Sequence, residues 1–575
     1  MDQLRSFKAR GSHREEDLTA KRFSNFRGQG RNRKVEMSGK LVGYRLIAVW
    51  VGLVILSVSR TATSAERPNI LFFFVDDWGR YASVYADPAS PSFNDIVSTP
   101  HFDRVAREGV RFDHAFVPVS SCGPCRASVV TGRYFWNCGS RAFLNGRASD
   151  WKGINNPFSE LAKFPDRLRD QGYLVRRSLK TLSFAPSKPL DFERSLPDPE
   201  YHRYGLYVGE AVDPDQRQRR IAETLEHPRP EMRRVLQASR ESEQPFFFVY
   251  GTYNVHRPFH VDSGRSLWGI EEQQLRGHLP PYLPDVEEVR RDFADYLGEV
   301  QAADAMLGVM IEELEAANEL DHTLIVLSGD NGIPGVPRGK TNCYDLAIHA
   351  PLMCRLPGTI PAGRVIQDFV SLMDLGPTLL ELTESQPIEN ADGRSFLKQL
   401  TSQKSGWVDP SRDRVVVGRE LHFHSAREGH LPYPMRAIRT PEYLYIRNFK
   451  ADRWPMGAPY NLDTAGEGYE DLEESPWRDL DSSLTKSWFL HHRDTELGRR
   501  VMAWSIDKRP QEEFYDLRKD PHQLQNLAED PAYAAAVASF REQLDDVMRT
   551  TEDPRLQDEF DRPPWVQPVT PAPSL

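Results

Sequence analysis

Three stretches of the chain are almost wholly apolar: "NILFFFV" at 69–75, "PFFFVY" at 245–250 and "TLIVLS" at 323–328. Continuous runs of this length, rather than alternating ones, predict strands covered on both faces in a largely parallel sheet. Between the last two, Val289, Phe293, Leu297, Val300, Leu307, Met310 and Leu314 recur at helical spacing, which predicts one long amphipathic helix. Strands alternating with helices give an α/β class with a large, mostly parallel central sheet flanked by helices. Beyond about residue 400 the pattern changes. "VVVGREL", "PMRAIRT" and "YLYIRNF" are short runs separated by Pro and Gly, and "AYAAAVASFREQLDDVM" has helical spacing. This predicts a smaller C-terminal subdomain with an antiparallel sheet. Six prolines in 551–575 predict a loose tail.

The beginning of the chain has its own pattern. Residues 1–36 carry ten Lys/Arg without apolar periodicity, so this polar leader is not expected to fold, and Met37 is a candidate start. "SGKLVGYR" then supplies positive charge before the 13-residue apolar segment "LIAVWVGLVILSV", and Thr63 and Ala65 offer small residues for cleavage before Glu66. A bilayer span needs about 20 residues, so 37–65 is expected to be a signal peptide; a retained anchor is the alternative. The expected divisions are 1–36 leader, 37–65 signal peptide, 66–400 catalytic domain, 401–550 C-terminal subdomain and 551–575 tail. The protein is expected outside the cytoplasm, periplasmic or extracellular.

With 575 residues and a net charge of −10, the chain lacks the basic footprint of a nucleic-acid binder. Five cysteines in an exported chain are not a disulfide framework, and the odd count leaves one unpaired. Cys125, Cys138, Cys343 and Cys354 are free to pair or to stay buried.

Chemistry gathers where the strands end. "FFFVDD" closes on Asp76-Asp77, "FFFVYGTYNVH" leads to His256 and "LIVLSGDNG" leads to Asp330-Asn331, the edge at which open α/β sheets place their sites. Three carboxylates and an amide oxygen form a hard oxygen set suited to Ca²⁺ or Mg²⁺ rather than zinc.

The segments "RPNILFFFVDD", "CGPCRASVVTGRY", "GYLVRRSLK", "NVHRPFH" and "SGDNG", in this order, resemble the type I sulfatases over roughly residues 67–530, with the C-x-P-x-R signature at Cys122, Pro124 and Arg126. The resemblance implies an alkaline-phosphatase-like fold and a sulfatase acting on sulfated saccharides. It also implies that a maturation enzyme oxidises Cys122 to Cα-formylglycine before folding. One divalent ion, Ca²⁺ with Mg²⁺ as the alternative, would be held by Asp76, Asp77, residue 122, Asp330 and Asn331. The hydrated aldehyde would attack sulfur and later expel sulfate by re-forming its carbonyl, which a serine could not do. By the same resemblance Arg126 holds the modified residue, Lys180 and Lys340 face sulfate oxygens and His256 protonates the leaving group. Where the family usually reads G-K-x-H, this chain has Leu182 in the histidine position.

"SGDNGIPGVPRGKTNCY", "YPMRAIRTPEYLYIRNF" and "RPQEEFYDLRKDPHQLQNLA" are similar to segments of the heparan N-sulfatases, which typically carry arginine where Lys340 stands. That implies N-sulfated glucosamine as a substrate, with O-sulfated sugars as the alternative. Two other readings are a phosphatase or phosphodiesterase of the alkaline phosphatase superfamily, and a catalytically weakened relative that binds sulfated glycans. Oligomeric state is not legible.

Overall fold

The computed structural model describes residues 67–143, 157–180, 182, 203–460, 462, 476–563 and 565–566. The expected leader and signal segment fall outside these residues. Among the described residues, β1 (Asn69–Val75), β2 (Val110–Phe116), β3 (Leu174–Leu179), β4 (Phe246–Gly251), β5 (Thr323–Gly329), β6 (His349–Arg355), β7 (Arg364–Ile366) and β8 (Val370–Ser371) form one sheet. Its order is β3-β4-β1-β5-β6-β2-β7, and β8 also pairs with β2. All pairings are parallel except those of β6, which runs against both β5 and β2.

The continuous apolar runs have the expected cause. In β1, Ile70, Phe72 and Phe74 enter one apolar cluster while Leu71, Phe73 and Val75 enter another on the opposite face. Phe247 and Val249 of β4 and Leu324 and Val326 of β5 join the first cluster, and Phe246, Phe248, Ile325 and Leu327 join the second. A strand between two dry layers has little room for a polar side chain. Helix α1 (Cys122–Thr131) contributes to the first layer through Cys125, Ala127, Val129 and Val130. Helix α2 (Glu287–Ala316) lays all seven residues of the predicted stripe into the second.

A second, antiparallel sheet has the order β12-β11-β10-β9, from β9 (Val415–Arg419), β10 (Met435–Arg439), β11 (Tyr443–Asn448) and β12 (Glu512–Asp516). Its Val417, Ala437, Leu444 and Phe514 belong to the same apolar cluster as Ile70 and Phe72, so the two sheets share a core. Helix α3 (Ala534–Thr550) packs there through Val537, Phe540, Leu544 and Met548. The expected loose tail is ordered at its start. Arg555 and Phe560 are buried, Arg555 pairing with Glu420 and Phe560 meeting Phe143 edge to face. A buried carboxylate and an aromatic pocket anchor a segment that composition alone marks as polar.

Candidate active site

The strand order decides what meets. β3, β4, β1 and β5 lie side by side and parallel, so their C-terminal ends share one edge, and each delivers a predicted group there. Lys180 follows β3, His256 lies five residues past β4, Asp76 and Asp77 follow β1, and Asp330 and Asn331 follow β5. The backbone holds these ends together: Lys180 N–H donates to Gly251 O at 2.9 Å, Asp76 N–H to Thr252 O at 3.2 Å and Asp330 N–H to Val75 O at 3.2 Å. Gly251 must be glycine, since a Cβ there would lie 1.4 Å from Lys180 O. Asp77 has a φ of 58°, a left-handed conformation that aspartate tolerates, at the turn out of β1.

Asp76, Asp77, Asp330 and Asn331 are fully buried. Asp330 accepts from Arg126 Nε at 2.6 Å through Oδ2 and from Asp77 N at 2.9 Å through Oδ1. Asn331 Nδ2 donates to Asp77 Oδ1 at 2.9 Å and to Asp330 Oδ1 at 2.5 Å. Lys180 Nζ donates to Asp76 Oδ2 at 2.5 Å and Lys340 Nζ to Asp77 Oδ2 at 2.8 Å. Arg126 also donates to Lys180 O at 3.1 Å and to Asp76 Oδ1 at 3.5 Å, which ties β3, β1, β5 and α1 into one cluster. Cys122 opens α1 beside it: ligand atoms of Asp76, Cys122 and Asp330 all lie within 4.8 Å of one another.

Burial favours neutral acids, yet Asp76 is held below the usual carboxylate range because Lys180, with Arg126, outweighs it. Burial likewise works against the Lys340 ammonium, but Asp77 keeps it firmly charged. Burial raises the Cys122 thiol, although Lys180 and Lys340 oppose the rise. His256 is pushed down, first by burial and then by Lys340, and so stands neutral near pH 7. Its Nδ1 lies 2.6 Å from Arg257 O, an atom that can only accept. The ring proton therefore sits on Nδ1, and Nε2 is the nitrogen turned toward Asp77 Oδ2 at 3.8 Å.

Two groups at the site come from the C-terminal part and have no local signature in the sequence. Asp481 stands 3.9 Å from Lys340 Nζ, and although burial opposes it, Lys340 and the nearby histidines hold its carboxyl down at about 2. His422 Nδ1 lies 2.9 Å from the hydroxyl of Ser121, the residue before Cys122, and burial with Lys340 presses its pKa down to about 3. Leu182 is buried in the first apolar cluster. All five cysteines are free and buried.

The donor set fits a hard divalent cation. It offers buried carboxylate oxygens from two strand ends and an amide oxygen, Asn331 Oδ1, with no hydrogen-bond partner among the described residues.

A mostly parallel α/β sheet with an acidic cluster at its C-terminal edge, and a cysteine-led helix beside it, has the architecture of the alkaline-phosphatase-like fold. Solved structures share the architecture: one carrying its substrate D-glucosamine-2-N,6-O-disulfate has a TM-score of 0.53 at 16% identity, covering 87% of this chain and 100% of that one. The phosphonate monoester hydrolase of Agrobacterium radiobacter gives 0.54 at 19% identity, covering 85% of this chain and 97% of that one. At such identities the likeness is one of fold.

The sulfatase family model matches residues 68–385 and the model of the N-sulphoglucosamine sulphohydrolase C-terminal region matches 339–475. The chain belongs to the sulfatase family and is a sulfuric ester hydrolase. Among curated relatives, human N-sulphoglucosamine sulphohydrolase is 28% identical, aligned over 87% of this chain and 93% of its own. An ulvan-active sulfatase of Formosa agariphila is 24% identical over 84% of this chain and 74% of its own.

Proposed function

We infer that this sulfatase removes sulfate from sulfated saccharides with residue 122 as Cα-formylglycine, and that its substrate class is the N-sulfated glucosamine terminus. The observation that carries the reading is the meeting of Asp76 and Asp330 with Cys122, with Asp77 and Asn331 hydrogen-bonded into the same cluster and Arg126, Lys180 and Lys340 paired to its carboxylates. The match of 339–475 to the N-sulphoglucosamine sulphohydrolase C-terminal model supports the choice of N-sulfate, with O-sulfate as the alternative.

When bound, a divalent ion, Ca²⁺ or Mg²⁺, would supply Lewis acidity at the sulfate and favour ionisation of the hydrated aldehyde; Asp76, Asp77, Asp330, Asn331 and residue 122 would hold it. Arg126, fixed by two carboxylates and a carbonyl, anchors the start of α1. Lys180 and Lys340 neutralise sulfate oxygens. His256, its Nδ1–H spent on Arg257 O, presents an unprotonated Nε2 that takes up the proton given off when the hydrated aldehyde ionises and passes it to the departing nitrogen or oxygen.

Charge count favours sulfate over phosphate. Asp76, Asp77, Asp330 and Asp481 face Arg126, Lys180 and Lys340, which leaves one net negative charge. A divalent cation and the ionised hydrate of residue 122 together bring the site to neutrality, so a sulfate monoester adds one uncompensated negative charge and a phosphate monoester dianion adds two. Defined sulfated saccharides, assayed beside phosphate esters with protein carrying verified formylglycine, test the reading. Release of sulfate from terminal N-sulfated glucosamine, lost in Cys122→Ala, is the expected result. O-sulfate release without N-desulfation would overturn the substrate choice, and binding without any turnover would favour the glycan-binding reading.

Export is part of this proposal, supported by the charge and length of the segment after Met37. N-terminal sequencing of the exported protein should begin near Glu66, and a mature chain retaining 41–60 would refute cleavage. Among the described residues no helix is long and apolar enough to cross a membrane.

A further inference from the structure

The helix that begins with Cys122 carries a second cysteine one turn further on. Its first turn reads Cys122-Gly123-Pro124-Cys125. The Cys125 N–H donates to Ser121 O at 2.9 Å, which closes this turn and sets residues 122 and 125 on neighbouring positions of one helix face. Both are free and buried. The proposed sulfate chemistry gives Cys125 no role. Cysteines at C-x-x-C spacing in the first turn of a helix are the arrangement used for reversible dithiol–disulfide chemistry, and so short a loop costs little entropy to close.

We propose that in the chain whose Cys122 has not been converted, Cys122 and Cys125 close a reversible disulfide that withholds Cys122 from oxidation to the aldehyde. The disulfide stands on the C-x-x-C spacing, which the unfolded chain also has, and the first turn of α1 shows that the folded protein keeps the two residues adjacent, whereas its consequence rests on the formylglycine reading. The oxidant is a disulfide, R–S–S–R. One cysteine thiolate attacks it, R–S⁻ leaves and takes up a proton, and a mixed disulfide remains. The second cysteine thiolate then attacks the protein sulfur of that mixed disulfide, forming the Cys122–Cys125 bond and releasing the second R–S⁻. The two electrons lost by the cysteine pair reside in the two released R–S–H molecules. While its sulfur is held in this bond, Cys122 offers no thiol to a maturation enzyme.

Burial fixes the timing. Cys122 and Cys125 are 4% and 0% exposed in the folded protein, so exchange there is shut off. The choice between disulfide and aldehyde belongs to the unfolded chain, and folding seals whichever forms first. Reductant during synthesis therefore raises the convertible fraction, and removing Cys125 makes conversion indifferent to redox conditions.

The test uses the full chain made without maturation enzyme, unfolded, and refolded in glutathione buffers of graded oxidation. Trypsin should release Phe112–Arg126 as one peptide holding both cysteines. The expected peptide is two hydrogens light and resists alkylation until reduced, while Cys125→Ser and Cys125→Ala give a fully alkylated peptide. When a maturation enzyme is co-produced under oxidising conditions, reductant should raise the aldehyde yield of the wild type several-fold and leave both variants, already high, unchanged. A wild-type peptide that is alkylated at both cysteines at every glutathione ratio overturns the proposal, as does a bond from Cys125 to Cys138, Cys343 or Cys354. Equal, reductant-insensitive aldehyde yields in wild type and variants overturn the withholding step. Absence of aldehyde in every protein under reducing conditions removes that step together with the formylglycine reading, even where the disulfide forms.

Discussion

Replacing His256 with glutamine separates proton delivery from the rest of the site. The structure fixes the imidazole through Nδ1–H to Arg257 O at 2.6 Å and leaves Nε2 facing the carboxylate cluster, 3.8 Å from Asp77 Oδ2. Glutamine retains a hydrogen-bonding amide of similar reach but cannot transfer a proton. The loss should then equal a general-acid contribution, about 10²–10⁴-fold in rate, or about 3–5 kcal/mol of barrier. It should also depend on the leaving group. A sugar amine or alkoxide must be protonated to depart, whereas a nitrophenolate leaves without help. kcat/KM measured on an N-sulfated glucosamine saccharide and on 4-nitrophenyl sulfate should therefore fall by about 10²-fold or more in the first case and by less than about tenfold in the second. Equal losses on both substrates would refute the assignment of His256 as acid and leave it a binding or positioning group.

Three further outcomes follow from named contacts. Asp330→Asn removes the negative charge that faces Arg126 Nε and one carboxylate of the cation cluster; losing one charge-assisted hydrogen bond corresponds to about 1.5–3 kcal/mol, and metal affinity measured by calorimetry should drop about tenfold or more, so that unchanged affinity would remove Asp330 from the ligand set. Leu182→His places an imidazole in the first apolar cluster, where an unpaired polar group costs about 1–3 kcal/mol; the melting temperature should fall without a gain in rate, and a tenfold faster enzyme would show that position 182 reaches the substrate. Glu299 on α2 accepts from Gly205 N at 2.6 Å while its Oε2 has no partner among the described residues, and burial, reinforced by Asp295 against Arg203, raises its carboxyl to about 8. Because the folded pKa exceeds the unfolded one, the folded state holds the extra proton between about pH 4.5 and 8 and stability falls across that window. Glu299→Gln should flatten the fall in the denaturation midpoint between pH 5 and pH 8, and parallel profiles would contradict it.

The hydrophobic pattern by itself determined the interior of this protein. β1, β4 and β5 are central strands between two apolar layers, so nearly all their side chains are apolar and a continuous run is the visible result, with Asn69, Thr323 and Ser328 admitted at the strand ends through hydrogen bonds. The stripe on α2 was equally legible, because one face of a long helix must meet the sheet. β3 was not legible as a strand. It ends the sheet's strand order, where one side is uncovered, and its "LVRRSL" admits Arg176 and the exposed Arg177. β2 was hidden for a related reason: the irregularity between Phe112 and Ala115 breaks its alternation around Asp113 and His114. The candidate chemistry at Asp76-Asp77, Cys122 and Asp330-Asn331 could be read from strand ends and the C-x-P-x-R spacing.

What the chain alone did not determine is which ends would be neighbours. The order β3-β4-β1-β5 places Lys180, His256, Asp76 and Asp330 on one edge, although local propensity is the same whichever strand a run pairs with. His422 arrives from just past β9, in the small sheet that shares the first apolar cluster with the large one, and Asp481 arrives from a segment whose Trp477 and Leu480 pack in the second. Their roles come from buried neighbours, Lys340 and the Ser121 hydroxyl, and no residue-by-residue pattern encodes a neighbour brought by tertiary packing. Arg555 and Phe560 make the same point at the other end of the chain: a polar, proline-rich stretch is held because Glu420, already paired with Arg436, takes Arg555 as a second buried partner and Phe143 presents its ring to Phe560.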